Sequence, residues 1–207
     1  MENKDRYGFF AMLDRMQYIN RWSLMRNTKV ENIKEHSFDV AVIAHSLALI
    51  HNTMFLDESI KVDPYKVQSY ALFHDCTEII TGDLPTPIKY RNEEIKNAYK
   101  EVEVEAAERL VSLLPNSLKD EYLELLIPDY TGDEGQLMKR LVKAADKISA
   151  YIKCLLEIES GNKEFTSAQK TLKKSIDDMK LKEADYFMEK FVPSYGYTLD
   201  ELSSGEA

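Results

Sequence analysis

The chain has 207 residues, 44% of them hydrophobic, and 27 Lys+Arg against 36 Asp+Glu leave a net charge of −9. A chain this long buries about 70% of its unfolded surface, so one domain spanning 1–207 can fold around its own core without disulfides or a structural metal. The acidic balance excludes the broad cationic face that nucleic acid or an anionic membrane surface requires, but not a site for one small anion.

Two cysteines, Cys76 and Cys154, are too few and too far apart for a disulfide framework or a zinc ribbon. The start, Met1 to Arg6, carries both signs of charge and does not read as a signal peptide, so a cytoplasmic protein is expected.

Glycine and proline punctuate long stretches with helical periodicity, and alternation of strand type is hard to find. The first helix runs through Phe9, Met12, Leu13, Met16 and Ile19, and Asn20-Arg21-Trp22 follows it. A second opens near His36 and continues through Phe38, Ala41, Val42, His45 and Leu49. Its most apolar run, Val40 to Ile50, is far below the ~20 residues of a membrane span. Asp63-Pro64 reads as an N-cap with proline at the first helical position, and starts a third helix that runs to about Ile80.

After the stiff loop Thr81-Gly82-Asp83-Leu84-Pro85-Thr86-Pro87, helices are expected over about Asn92–Leu114 and from Asn116 to before Pro128. Glu134–Glu159 reads as a long helix stopped by Gly161, followed by helices over Lys163–Leu181 and Ala184–Phe191. The expectation is an all-α domain of roughly eight helices.

Several costly polar residues fall beside apolar stretches. His74 and Asp75 follow Tyr70-Ala71-Leu72-Phe73, and Asp146 closes Leu141-Val142-Lys143-Ala144-Ala145. An ionised Asp in such a place costs several kcal/mol unless a partner or metal compensates it. With His36 they supply two imidazoles and two carboxylates, a donor set suited to a divalent first-row metal. Each also has an ordinary reading: His36 as a capping or core residue, and Asp146 as the ion-pair partner of Lys143 or Lys147.

Glu78 lies four residues after His74 and three after Asp75. On a continuous helix it shares their face, where a general acid or base belongs. Arg21 offers a planar fork for a phosphate and Trp22, the only Trp, a wall for a sugar or base, although on the residues alone packing is the commoner role for such an indole. Arg26, Lys89 and Tyr90 are weaker candidates for the same pocket.

Glu35-His36-Ser37, His74-Asp75 with Glu78, and Ala145-Asp146 resemble the H…HD…D signature of HD-domain metal-dependent phosphohydrolases. The stretches Asn20 to Asn27, Thr81 to Pro87, Tyr151 to Leu155 and Asp185 to Ser194 are similar to the bacterial 5′-deoxynucleotidases of the YfbR type, over nearly the whole chain.

The resemblance implies an HD-domain helical fold and a cytoplasmic homodimer that hydrolyses 2′-deoxyribonucleoside 5′-monophosphates. On the acidic balance, no nucleic-acid or membrane partner is expected. His36, His74, Asp75 and Asp146 would hold one divalent ion, which could be Co, Mn, Zn, Ni or Fe. Arg21 would orient the phosphate and Trp22 would crowd the sugar 2′ position. Asp75, Asp83, Leu84, Pro85 and Thr86 would contact the nucleotide. Catalytic roles fall to Glu78, for activating water or relaying a proton, to Asp83 on the leaving side, and to Arg21.

No histidine follows His74, which favours one metal over two. His45 is expected in the core or behind the site, His51 at the surface, and Cys76 as a packed thiol. Two rival readings are another mononuclear HD hydrolase acting on a nucleoside triphosphate or guanosine polyphosphate, and a non-catalytic nucleotide-binding HD scaffold.

Overall fold

The computed structural model describes residues 6–56, 60–89 and 91–204, and leaves the side chains of Thr86 and Pro87 undescribed. Among these residues the protein is all-α, with one isolated antiparallel bridge between Asn20 and Asn32. Helix α1 (Phe9–Asp14) tightens into a 3₁₀ turn over Arg15–Tyr18. Helix α2 (Ile33–Ile50) begins almost a turn earlier than the sequence suggests. Asn32 is the reason: its Oδ1 accepts from the amides of Lys34 and Glu35, both at 3.0 Å, and so caps the helix.

Helix α3 (Pro64–Phe73) starts as expected, with Asp63 Oδ1 accepting from the Tyr65 amide at 2.9 Å. It does not run on to Ile80. The amides of Cys76 and Glu78 bond to the carbonyls of Phe73 and Asp75 at 3.1 and 3.0 Å, a tighter three-residue spacing that forms a turn over His74–Thr77. Two single-turn helices follow, α4 (Glu78–Thr81) and α5 (Thr86–Lys89), joined by the loop that carries Asp83. Next come α6 (Glu93–Val111), capped by Asn92, and α7 (Asn116–Leu126).

Helix α8 (Gly132–Glu159) is the longest at 28 residues. It ends where Gly161, at φ 86°, donates to the Ile158 carbonyl while Asn162 donates to that of Glu157, a Schellman closure. The remaining helices are α9 (Thr166–Asp177), α10 (Lys182–Lys190) and α11 (Leu199–Ser204).

The chain forms two compact units. One is built from residues up to Met25, Val30–Phe38 and Leu72–Asp129. Its core gathers Phe9, Met16, Ile33, Cys76, Ala107, Leu110 and Leu114, with Tyr122 meeting Phe9 and Phe73 edge-on at 4.8 and 5.9 Å. The other comprises Arg26–Lys29, Asp39–Ala71 and the residues from Tyr130 onward. Its buried residues include Val40, Leu47, Tyr70, Leu141, Ile148, Phe165 and Ile176.

The segment Ile33–Phe55, α2 with the turn after it, is longer than the apolar run read from the sequence. By length and composition it could cross a membrane. Its Val40, Ile43, Leu47, His36 and Ser37 are instead packed inside the protein.

Candidate metal centre and active site

The residues after α1 form a short hairpin that sets the site. Ile33 donates to the Ile19 carbonyl at 3.0 Å and Arg21 to that of Glu31 at 2.9 Å, on either side of the Asn20–Asn32 bridge. Trp22 then adopts φ 57°, a left-handed conformation that a bulky residue rarely takes, and its carbonyl accepts from the Met25 amide at 2.9 Å. The Arg21 guanidinium is held on three sides. Nη1 donates to Glu31 Oε2 at 2.6 Å and lies 2.9 Å from Nδ1 of His36, and the guanidinium is 5.8 Å from the centre of the Trp22 ring. Trp22 Nε1 donates to the same Glu31 oxygen at 3.1 Å.

His36 is fully buried in the first turn of α2, and its ring centroid lies 5.3 Å from that of His74. Asp75 Oδ2 is 3.1 Å from His74 Nε2 and 3.7 Å from His36 Nε2. Burial works to raise the Asp75 pKa, but the His74 charge and hydrogen bond, with His36 and Arg21, hold its carboxyl well below the usual carboxylate range. His36, His74 and Asp146 each offer a ligand atom, and these atoms lie within 4.8 Å of one another. Lys147, whose charge interacts with Asp146, also donates to Ser175 Oγ at 2.6 Å.

The donor chemistry fits a divalent first-row ion: two imidazoles and a carboxylate converge, with the Asp75 carboxylate alongside. Glu78 provides an independent sign. It is 6% exposed, and its buried Oε2 has no hydrogen-bond partner among the described residues. Burial, then the charges of Asp75 and Asp83, push its carboxyl up to about 9. A buried oxygen with no donor costs about 1–3 kcal/mol, which a cation or a substrate in the site relieves.

Glu78 thus arrives near the cluster, although not by the continuous helix face expected from its spacing, because the chain turns between His74 and Thr77. Asp83 is half-buried, and burial raises its pKa against the opposing Arg21 charge and a hydrogen bond from the Trp22 amide. It therefore joins Arg21, Trp22 and Glu78. Leu84 and Pro85 follow it in the same loop, half-buried. The Thr86 side chain and Tyr90 lie outside the described residues.

Of the weaker candidates, Lys89 lies near enough to Glu78 for its charge to oppose the rise in that carboxyl's pKa, while the Arg26 side chain is turned to Glu164 at 3.9 Å. Lys89 Nζ is 2.8 Å from Glu103 Oε1 and 4.4 Å from the centre of the Tyr99 ring. Arg26 is exposed, and its carbonyl accepts from Asn162 Nδ2 at 2.7 Å. Cys76 is packed, with Sγ 3.8 Å from Met16 Sδ, and burial pushes its thiol pKa up. His45 is half-buried, its ring centroid 5.5 Å from that of Tyr65.

His51 corrects the sequence reading. It is 4% exposed, not a surface residue, with Nδ1 2.6 Å from Glu183 Oε1 and Nε2 3.0 Å from the Ile60 carbonyl. Glu31 is the site residue that sequence reasoning missed. Only the hairpin register brings it to Arg21 and Trp22, and no local pattern announces a register carried by a single bridge.

Residues 8–195 match the model of the YfbR-like 5′-deoxynucleotidase family. The chain belongs to this family. Two YfbR-like relatives named 5′-deoxynucleotidase show how close the match is. The one from Erwinia tasmaniensis is 45% identical over 195 residues, covering 94% of this chain and 96% of its own. The one from Cronobacter sakazakii is 46% identical over 196 residues, covering 94% and 95%.

The YfbR-like fold is that of solved HD-domain phosphohydrolases. A Listeria innocua structure aligns with a TM-score of 0.74 at 23% identity, covering 95% of this chain and 93% of its own. The HD phosphohydrolase of cyanophage S-2L, solved with dA and one catalytic Zn²⁺ ion, aligns at 0.62 and 19% identity, covering 89% and 96%. The family and the His/His/Asp cluster make this protein a metal-dependent nucleotide phosphohydrolase.

Proposed function

We propose that the protein hydrolyses 2′-deoxyribonucleoside 5′-monophosphates to deoxynucleoside and phosphate, using one divalent ion of Co, Mn, Zn, Ni or Fe. The observation that carries this reading is the place of Arg21: one side-chain cation, fixed 2.9 Å from a ring nitrogen of His36 and beside the chain's only Trp. A single phosphate next to a sugar needs no more than that. A longer polyphosphate would call for more cations than Arg21 and Lys89, and Lys89, though near Glu78, is already paired with Glu103. The relatives named 5′-deoxynucleotidase support the choice of substrate.

When bound, the ion polarises a phosphoryl oxygen and makes water more acidic. His36, His74, Asp75 and Asp146 would hold it. Water adds to phosphorus while the P–O5′ bond breaks, and the leaving oxygen takes up a proton. Phosphoryl transfer of this kind is chiefly positioning and charge neutralisation, which Arg21 supplies from the protein side. Glu78 takes the proton from water or relays it, a role that its burial beside Asp75 and Asp83 suits. Asp83, on the loop and bonded to the Trp22 amide, stands on the leaving side. The Trp22 ring crowds the sugar 2′ position. Cytoplasmic location and a homodimer belong to the same reading, and sedimentation tests the dimer.

The decisive measurement is phosphate release from dAMP, AMP and dATP by protein stripped of metal and resupplied with single ions. Turnover of dAMP well above AMP is expected. Equal turnover of the two would remove the role given to Trp22, and dATP as best substrate would favour a triphosphohydrolase. Glu78→Ala should lose turnover while still binding the ion, and normal activity in that variant would overturn the assignment.

A further inference from the structure

Arg21 and Trp22 are neighbours in sequence, and consecutive side chains of an extended segment point to opposite faces. Here they point to one acceptor. Glu31, 9% exposed, receives Arg21 Nη1 at 2.6 Å and Trp22 Nε1 at 3.1 Å on the same Oε2. The left-handed Trp22 backbone, φ 57°, turns the indole back toward the arginine. Strained conformations persist only where the surroundings over-determine them. The surroundings in this case include the Met25-to-Trp22 turn, the Arg21–Glu31 backbone bond, the hydrogen bond from the Trp22 amide to Asp83 and the shared carboxylate.

We propose that Glu31 is a positioning residue that couples the phosphate-orienting Arg21 to the sugar-facing Trp22, so that discrimination at the sugar 2′ carbon depends on a carboxylate that does not touch the substrate. The proposal rests on the function given above for its substrate and on the hairpin geometry for its mechanism. A carboxylate within reach of both donors fixes the distance between phosphate clamp and indole wall. A 2′-hydroxyl is excluded only if that distance is kept. An indole freed from Glu31 can swing aside and admit the hydroxyl, while the ion site, built from other residues, still forms. Reach, more than charge, is the property that matters: a Gln at this position retains an oxygen at the same distance, whereas an Asp is one methylene too short to meet both donors.

The test compares Glu31→Asp, Glu31→Gln and the parent protein. Trp22 is the only tryptophan, so its fluorescence reports its own surroundings without any turnover. Glu31→Asp should increase acrylamide quenching of Trp22 at least twofold and lower the dAMP-to-AMP ratio of kcat/KM about tenfold. Its affinity for Mn²⁺ should stay within twofold of the parent. Glu31→Gln should keep both the quenching and the ratio close to parent values.

A merely structural carboxylate would instead depress dAMP and AMP turnover alike and leave their ratio intact, which overturns the proposal. Unchanged quenching in Glu31→Asp overturns it too, whatever the enzyme hydrolyses. If the parent releases phosphate from neither nucleotide, the functional reading fails, and the quenching comparison still decides whether Glu31 holds the indole.

Discussion

At the scale of single residues, the buried carboxylates show how one group can organise a segment. Glu157 is 2% exposed and accepts from the Thr28 and Lys29 amides at 2.8 and 3.0 Å, from Asn162 Nδ2 at 2.8 Å, and from Lys153 Nζ. Burial opposes its ionisation, but the Lys153 and Asn162 side chains and the Lys29 and Thr28 amides outweigh that and hold it well below the usual carboxylate range. Because its folded pKa is lowered, the stability it contributes is present above the unfolded value of about 4.5 and is lost as pH falls below it. Glu157→Gln leaves the Lys153 charge buried without its counter-ion, which typically costs about 3–5 kcal/mol at neutral pH. Thermal unfolding from pH 7 to pH 3 should show that variant less stable at pH 7 and less sensitive to acid below pH 4.5. An acid response equal to the parent's would show that Glu157 is not the group being titrated. None of this was legible in the sequence, since Glu157 and Thr28 are 129 positions apart and nothing near either marks the pairing.

Helices were far more legible than their joints. Asp63-Pro64, Asn92 and Gly161 each mark an end where the structure has one, because a cap or a left-handed stop is a local device. The turn at His74–Thr77 was not readable, because its residues are compatible with helix and only the hydrogen-bond spacing changes. At the start of α8 a different constraint acts. A Cβ on Gly135 would lie 2.6 Å from the Tyr130 carbonyl carbon and 2.9 Å from its Cα, so the backbone before α8 packs directly on the helix. Alanine is the better helix former by about 1 kcal/mol, yet overpacking against backbone typically costs about 1–3 kcal/mol. Gly135→Ala should therefore lower Tm by a few degrees, and a raised Tm would show that the Tyr130 segment yields freely.

For the molecule as a whole, a net charge of −9 sits beside a function that handles anions, and the cluster of His36, His74 and Asp146 with Asp75 and Glu78 resolves the conflict. The rarity of histidine made this cluster legible: His36 and His74 are two of only four, His36 at a helix start and His74 just after the apolar run Tyr70-Ala71-Leu72-Phe73. The two pieces that sequence could not supply, Glu31 and the burial of Glu78, depend on how distant segments pack. A ligand that binds only the folded chain stabilises it, by about 2.7 kcal/mol at a free concentration a hundred times Kd. A chain of this size gains roughly 2–4 °C per kcal/mol, so Mn²⁺, Co²⁺, Ni²⁺ or Zn²⁺ should raise the Tm of chelator-treated protein by several degrees. Imidazole nitrogen suits these ions better than the oxygen-seeking Mg²⁺ and Ca²⁺, which should shift it little at the same concentration. His74→Ala should abolish the shift, whereas Glu78→Gln should keep it, because Glu78 is placed beside the cluster and not assigned as a ligand. Equal stabilisation by Ca²⁺ would instead mean that surface carboxylates, not the histidine cluster, take up the ion.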